Sequence, residues 1–219
     1  MVNLGDVFPN FSAKTTIGNI KFHDWLGDSW GILFSHPADF TPVCTTEIGK
    51  LLMLYPEFSR RNTKVIALSC DPVESHLKWS NDIKVYSGYS GDNFPVPIIA
   101  DEKRELAAEL AMIDPDEKDS KGIPLTARAV FIIDPNKKLR LSILYPATTG
   151  RNFDEILRVL DSLQLCDKHK VATPVDWKPG EDVMVQPTVS DEDVKTMFPV
   201  LTIVALPSGK GYIRKTPQP

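Results

Sequence analysis

The chain is poor in cysteine: it has three, Cys44, Cys70 and Cys166, in 219 residues. No two of them form a C-x-x-C pair, which excludes redox exchange through adjacent thiols. Three scattered thiols suit a reducing compartment, and a cytoplasmic location is expected. Long apolar runs are also missing. None approaches the ~20 residues of a membrane-spanning helix. Met1 to Asp6 carry neither a basic segment nor an apolar one, so no signal peptide is expected. Positive charge is not in excess. Lys and Arg number 25 against 29 Asp and Glu, for a net charge of −4. The basic clusters, Arg60-Arg61 and Lys137-Lys138-Leu139-Arg140, are short. Nucleic acid is therefore not expected as a partner. The chain shows no internal repeat and no known C-terminal address tag.

A hydrophobic fraction of 42% supports a sizeable core. Strand-like runs fall at 30–34, 64–69, 97–99, 128–133 and 138–145. Val65 to Leu68 and Ala129 to Ile133 are continuously apolar and read as central strands. Helical patterns fall at 43–59, 73–84, 102–112 and 152–165, and Pro56 should interrupt the first. In the last, Phe153, Ile156, Leu157, Leu160 and Leu163 make an apolar stripe, with Asn152 as cap. Strands alternating with helices predict an α/β sandwich. The composition shifts after residue 166. Residues 167–187 are rich in Pro, Lys and Asp. Residues 188–219 offer one short helix (190–197) and a strand-like stretch near 211–215, too little core to stand alone.

The segment from His36 to Glu47, HPADFTPVCTTE, carries the chemistry. It follows the buried-strand run Trp30 to Phe34. It leads into Ile48, Leu51, Leu52 and Tyr55, one face of a helix. Thr41 is placed to cap that helix and Pro42 suits its first position. Cys44 then lies in the first turn, where free amides and the positive end of the dipole favour a thiolate. A cysteine phosphatase loop would need Arg six residues on, but position 50 is Lys50. Thr45-Thr46-Glu47 would repel phosphate. The local signature of a papain-type protease is absent. Cys70, ending an apolar strand, reads as a buried small hydrophobe. His36 taken alone has two readings, a structural histidine or part of the site.

The spacing Pro37-x-x-x-Thr41-x-x-Cys44 resembles the peroxiredoxin active-site pattern, and SHPADFTPVCTTE resembles its one-cysteine branch, the peroxiredoxin six class. The resemblance extends to Thr126-Ala127-Arg128, to the run from Leu141 to Asn152, and to Pro174-Val175-Asp176-Trp177-Lys178. It implies a thioredoxin-like fold over 1–166 and a C-terminal α+β arm over 167–219 that packs on a partner in a homodimer. The implied activity is a thiol-dependent peroxidase acting on hydrogen peroxide and on organic or phospholipid hydroperoxides. Cys44 would be the nucleophile. Thr41 and the amides near Val43 and Cys44 would donate to the developing oxygen charge. Pro37 would cap the pocket and Arg128 would be the cation beside sulfur. Glu47 and Arg151 would hold that arginine, with His36 at the pocket wall.

Two-cysteine relatives carry a resolving cysteine just before a Trp-Lys-Pro-Gly stretch. Here that position is Thr173, ahead of Trp177-Lys178-Pro179-Gly180. Cys166, seven residues earlier, reads as a packing thiol. The resemblance therefore implies recycling by an external thiol, glutathione, delivered with a glutathione transferase. No metal and no prosthetic group are assigned.

Two other functions stay open at this point. One is a peroxide sensor or holdase. The other is a serine-based calcium-independent phospholipase A2 or lysophospholipid acyltransferase, a second activity credited to the class. Gly27-Asp28-Ser29-Trp30-Gly31 matches G-x-S-x-G but precedes a strand instead of following one. The resemblance maps the serine and histidine of that activity to Ser29 and His23. The acidic position falls on Asn136, with Asp134 nearby as a substitute. His23 and Asp28 match the H-x-x-x-x-D pattern of acyl transfer.

Overall fold

The computed structural model describes residues 2–219. A hairpin of β1 (Ser12–Thr15) and β2 (Gly18–Lys21) leads into the short helix α1 (Phe22–Leu26) and the strand β3 (Trp30–Ser35). Helices α2 (Pro42–Met53) and α3 (Tyr55–Arg60) connect β3 to β4 (Thr63–Ser69). Helix α4 (Val73–Ser87) connects β4 to β5 (Ile98–Ala100). Then come α5 (Glu105–Glu109), a second hairpin of β6 (Ile113–Lys118) and β7 (Pro124–Thr126), and strands β8 (Arg128–Ile133) and β9 (Leu139–Tyr145). The seven-stranded sheet has the order β2-β1-β5-β4-β3-β8-β9. Strands β3, β4 and β5 are parallel and β8 runs antiparallel to β3. This is the thioredoxin-like α/β arrangement that the strand–helix alternation predicts.

Local chemistry explains the elements around the site. All six residues of β3 and of β8 are buried, as strands covered on both faces must be. Pro56 divides the expected long helix: α2 ends at Met53 and α3 takes Pro56 into its first turn. Phe22 and Leu26, one turn apart on α1, join Phe8, Leu33, Ile66, Leu68, Ala129 and Phe131 in one core cluster. Helix α4 buries His76, Trp79, Ser80 and Ile83 along one stripe and ends on Gly88, left-handed at φ 69°.

The structure departs from the sequence reading in several places. The helix expected over 102–112 shrinks to Glu105–Glu109. Asp101 accepts from the amides of Leu106 and Ala107, so a side chain in the preceding loop takes over the helix start. The β1–β2 and β6–β7 hairpins and α1 were not anticipated. No helix among the described residues is long and apolar enough to cross a membrane.

The chain forms two compact units, Met1–Phe153 and Asp154–Pro219. The composition shift placed a boundary at 166/167, inside helix α6 (Phe153–Lys168). Composition changes where the helix ends; packing changes where it begins. Leu165 of α6 packs against the core formed by Val171, Trp177, Val183, Val185, Val194 and Phe198. Ser162 and Thr173 share a hydroxyl hydrogen bond of 2.6 Å. That second unit carries β10 (Val171–Ala172), β11 (Val183–Val185), α7 (Asp191–Met197), β12 (Thr202–Ile203) and β13 (Arg214–Thr216). Its sheet order is β10-β11-β13-β12.

Candidate active site

Strand β3 ends at Ser35, and residues 36–41 turn the chain into α2. Cys44 sits in the first turn of that helix and is fully buried. Thr45 donates its amide to Thr41 O at 3.0 Å. Among the described residues the amides of Val43 and Cys44 have no protein acceptor, as expected for a helix start. Thr41 occupies the N-cap position, but its hydroxyl does not cap: it donates to Ala38 O at 2.8 Å. The correction has a simple cause. The tight loop leaves the Ala38 carbonyl without a ladder partner, and a backbone acceptor must be satisfied. The Thr41 oxygen then offers lone pairs in place of its proton.

Arg128, the first residue of β8, comes from 84 positions along the chain and points Nη1 at Cys44 Sγ, 3.3 Å away. Its guanidinium is fixed on every side. Nη1 also donates to Glu47 Oε2 at 2.7 Å, and Nε and Nη2 donate to Ala147 O at 2.9 and 2.5 Å. Glu47 lies one turn beyond Cys44 on the same helix. Arg151 donates its amide and Nε to Glu47 Oε1 at 2.7 and 3.0 Å, and Nη2 to Oε2 at 2.7 Å. Its Nη1 reaches Ser35 O and Ala129 O. Pro37 and His36 are buried beside this cluster in the chain. The structure thus brings Cys44, Glu47, Arg128 and Arg151 into one connected group.

The charge balance of this cluster constrains its chemistry. Two buried guanidiniums face one buried carboxylate. A thiolate at Cys44 completes the neutral set, whereas a thiol leaves one buried cation uncompensated. Burial pushes the Glu47 carboxyl up, but the charge and hydrogen bonds of Arg151, with the charge of Arg128, outweigh it and hold Glu47 below the usual carboxylate range. Its stabilising contribution is therefore present above the ordinary carboxylate pKa and is lost as pH falls through the lowered one. Glu47→Ala strands both cations and should cost about 3–5 kcal/mol of stability at neutral pH. The measurement is urea unfolding. The deficit relative to wild type should shrink as the pH is lowered into the acid range. A loss under about 1 kcal/mol at neutral pH would mean that the guanidiniums find other partners.

The residues of the lipid reading are not brought together. His23 Nε2 is bonded to Phe8 O at 2.7 Å and Ser29 Oγ donates to Asn62 Oδ1 at 3.3 Å. Asp134 accepts from Lys138 N at 2.9 Å and Arg140 Nη1 at 3.3 Å, and no hydrogen bond to His23 joins them among the described residues. Asp28 touches Asn62 only through its carbonyl. Among the described residues no hydrogen bond links His23 to Ser29 or to either aspartate. Ser29 sits in a turn before β3, where the strand's start and not a nucleophile elbow sets its direction.

A second buried polar group escaped the sequence reading. Asp39 accepts from His36 Nε2 at 2.9 Å through Oδ1, and from His76 Nδ1 and Ser75 Oγ at 2.7 Å each through Oδ2. Only the helical stripe of α4, which places His76 with Trp79 and Ile83 on one face, hinted that His76 is buried. These three side chains bring potential metal-ligand atoms within 4.8 Å of one another.

Residues 4–142 match the profile of the AhpC/TSA family, and residues 162–199 match that of the C-terminal domain of 1-Cys peroxiredoxin. The chain is 66% identical over 218 residues to peroxiredoxin-6 of Gallus gallus, covering 99% of this chain and 97% of that one. It is 63% identical to peroxiredoxin-6 of Homo sapiens over the same span and coverage. A cysteine-to-serine mutant of the peroxiredoxin 6 of Arenicola marina superposes with a TM-score of 0.98 at 64% identity, covering 100% of this chain and 99% of that one. Yeast mitochondrial 1-Cys peroxiredoxin, studied for thiol resolution via glutathione/thioredoxin systems, gives 0.88 at 46% identity, covering 99% and 100%. The chain belongs to the AhpC/TSA family and, within it, to the one-cysteine peroxiredoxins of the peroxiredoxin-6 class, which are thiol peroxidases.

Proposed function

We propose that Cys44 is the peroxidatic nucleophile and that Arg128, Thr41 and Pro37 complete the catalytic site around it. The observation that carries this is the Arg128 Nη1 to Cys44 Sγ contact of 3.3 Å, made by a guanidinium that three other hydrogen bonds hold still. The thiolate attacks one peroxide oxygen. The S–O bond forms, the O–O bond breaks, and the leaving oxygen takes a proton to depart as water or an alcohol. Charge grows on the leaving oxygen, where Arg128 and the unbonded amides of Val43 and Cys44 are preorganised to receive it. The Thr41 oxygen accepts from the peroxide hydroxyl, since its own proton is committed to Ala38. Glu47 and Arg151 act through Arg128 as positioning residues. Substrates on this reading are hydrogen peroxide and organic hydroperoxides, phospholipid hydroperoxides among them.

The reducing equivalents come from an external thiol, here proposed to be glutathione with a glutathione transferase as its carrier. Thr173 occupies the resolving position and its hydroxyl is bonded to Ser162. Burial pushes the Cys70 thiol up to about 11, against a smaller opposing effect of Arg104, so Cys70 is a poor nucleophile for resolving the sulfenic acid. The second unit is proposed as a dimerisation arm, and the three free thiols suit the cytoplasm.

Excess peroxide without a reductant should then add two or three oxygens to Cys44 and form no internal disulfide. Intact mass under non-reducing conditions, followed by peptide mapping, measures this. A net loss of two hydrogens would mean that a second cysteine resolves the sulfenic acid and that the one-cysteine recycling is wrong.

A further inference from the structure

The reading of Cys44 as a peroxidatic nucleophile uses the segment from Pro37 to Thr41 but leaves open what holds it. The loop carries backbone strain: Phe40 has φ 53°, a left-handed conformation unusual for an aromatic residue. Next to it, the backbone amide of Asp39 donates to Asp71 Oδ2 at 2.9 Å, and Asp71 is itself tied to Ser69 Oγ at 2.8 Å. The Asp39 side chain, buried, binds His36 on one oxygen and His76 and Ser75 of α4 on the other. His76 Nε2 faces Ile99 O at 3.2 Å. One turn further along α4, the Trp79 ring packs against His36, tilted by 38° with centroids 4.9 Å apart, and donates Nε1 to Thr45 Oγ1, beside Cys44.

Proton positions follow from these partners. A carboxylate and a carbonyl only accept, so His36 carries a proton on Nε2 and His76 donates from both nitrogens. Burial lowers the affinity of His36 for a second proton, against the opposing hydrogen bond and charge of Asp39. His36 Nδ1 is then a bare lone pair, and it is the one buried side-chain polar atom among the described residues without a hydrogen-bond partner. Such an atom is costly and calls for a functional explanation. A metal is not that explanation. Ligand atoms around tetrahedral zinc stand about 3.3 Å apart, given bonds of about 2.0–2.1 Å. Asp39 already meets both imidazoles at 2.7–2.9 Å, so the trio is closed by its own hydrogen bonds.

We propose that Asp39 and His76 are positioning residues of the peroxidase: His76 anchors Asp39 to α4, and Asp39 fixes both the Pro37–Thr41 loop and the Nε2–H tautomer of His36. With the proton held on Nε2, Nδ1 is left as a lone pair without a protein partner among the described residues. The inference rests on the peroxidase reading of Cys44 and fails separately from it.

The test measures the second-order rate of Cys44 oxidation by hydrogen peroxide, together with the imidazole 15N shifts of His36 against pH. The proteins are wild type, Asp39→Asn, His76→Leu and His76→Asn. The charged groups acting on His36 are Asp39 in its own loop, His76 on α4 and Asp71 in the turn before α4. Removing His76, whose charge opposes protonation of His36, should move the His36 midpoint to higher pH. Removing the Asp39 charge should move it to lower pH. Both changes should slow oxidation, by roughly 10- to 100-fold as for other residues that orient a reacting group. His76→Asn keeps a donor toward Asp39 and should recover part of the rate while its midpoint moves as in His76→Leu. If Asp39→Asn does not fold, the two His76 variants decide. Rates within twofold of wild type, or a His36 midpoint that fails to rise in the His76 variants or rises in Asp39→Asn, would overturn the proposal. A wild type whose Cys44 is not oxidised by peroxide would instead overturn the peroxidase reading.

Discussion

Cys44→Ser should abolish peroxide-dependent turnover with glutathione or dithiothreitol, while Cys70→Ser and Cys166→Ser should keep most of it. The reaction requires a polarisable anion able to attack the O–O bond at neutral pH. A serine hydroxyl is nucleophilic only when a base takes its proton, and the cations at this position provide none. Arg128 and Arg151 are suited to stabilise a negative sulfur, and with Glu47 they leave one positive charge to be matched. In Cys44→Ser that charge stays unmatched, so the variant should also be less stable than its near-isosteric replacement suggests. The burial of Cys70 keeps its thiol protonated, and its removal deletes packing and not chemistry. The measurements are turnover and intact mass after one equivalent of peroxide. Loss of dithiothreitol-supported turnover in Cys166→Ser as complete as in Cys44→Ser would make this a two-cysteine enzyme.

Arg128→Met should slow peroxide reduction by about 10²–10³, the usual effect of deleting one preorganised charge-stabilising group. The thiolate fraction, followed by ultraviolet absorbance at fixed pH, falls with it, because the contact at 3.3 Å is lost. Arg128→Lys recovers little. A single ammonium cannot reach the sulfur and Glu47 while also filling the two hydrogen bonds to Ala147 O, which need the planar fork. The distinguishing measurement is the single-turnover rate against peroxide concentration. Unchanged rate and unchanged absorbance in Arg128→Met would remove Arg128 from the chemistry and leave it as a structural partner of Glu47.

Elements set by near neighbours were legible. Pro56 breaks its helix, Val65 to Leu68 and Ala129 to Ile133 are central strands, and Cys44 stands at a helix start. Each of these follows from a few consecutive side chains and from backbone sterics. The β6–β7 hairpin was not legible. Its first strand reads Ile113-Asp114-Pro115-Asp116-Glu117-Lys118, a composition poor in strand formers, and it pairs only because β7 lies opposite. The strands of the C-terminal unit are two or three residues long, below the length at which alternation carries a signal. The compact units divide at 153/154 and the composition shift falls at 166/167, since composition reports solvent exposure along the chain and not which core a helix joins.

The sequence by itself singled out Cys44 as the candidate nucleophile and pointed to the family, which the relatives share. A cysteine one turn into a helix after Pro42 is an anion site through local backbone geometry alone. Its resemblance to a known pattern named partners for it. Only the tertiary structure decided how those partners act. Arg128 reaches the sulfur across 84 residues because β8 lies beside β3, and its direction comes from Glu47 and Ala147. The same folding holds His23 and Ser29 apart on separate hydrogen bonds and closes His36, Asp39 and His76 into one buried group. Contacts of that kind depend on which strands pair and which helix faces meet. Those are decided by burial summed over the whole unit, a quantity that no short window of residues contains.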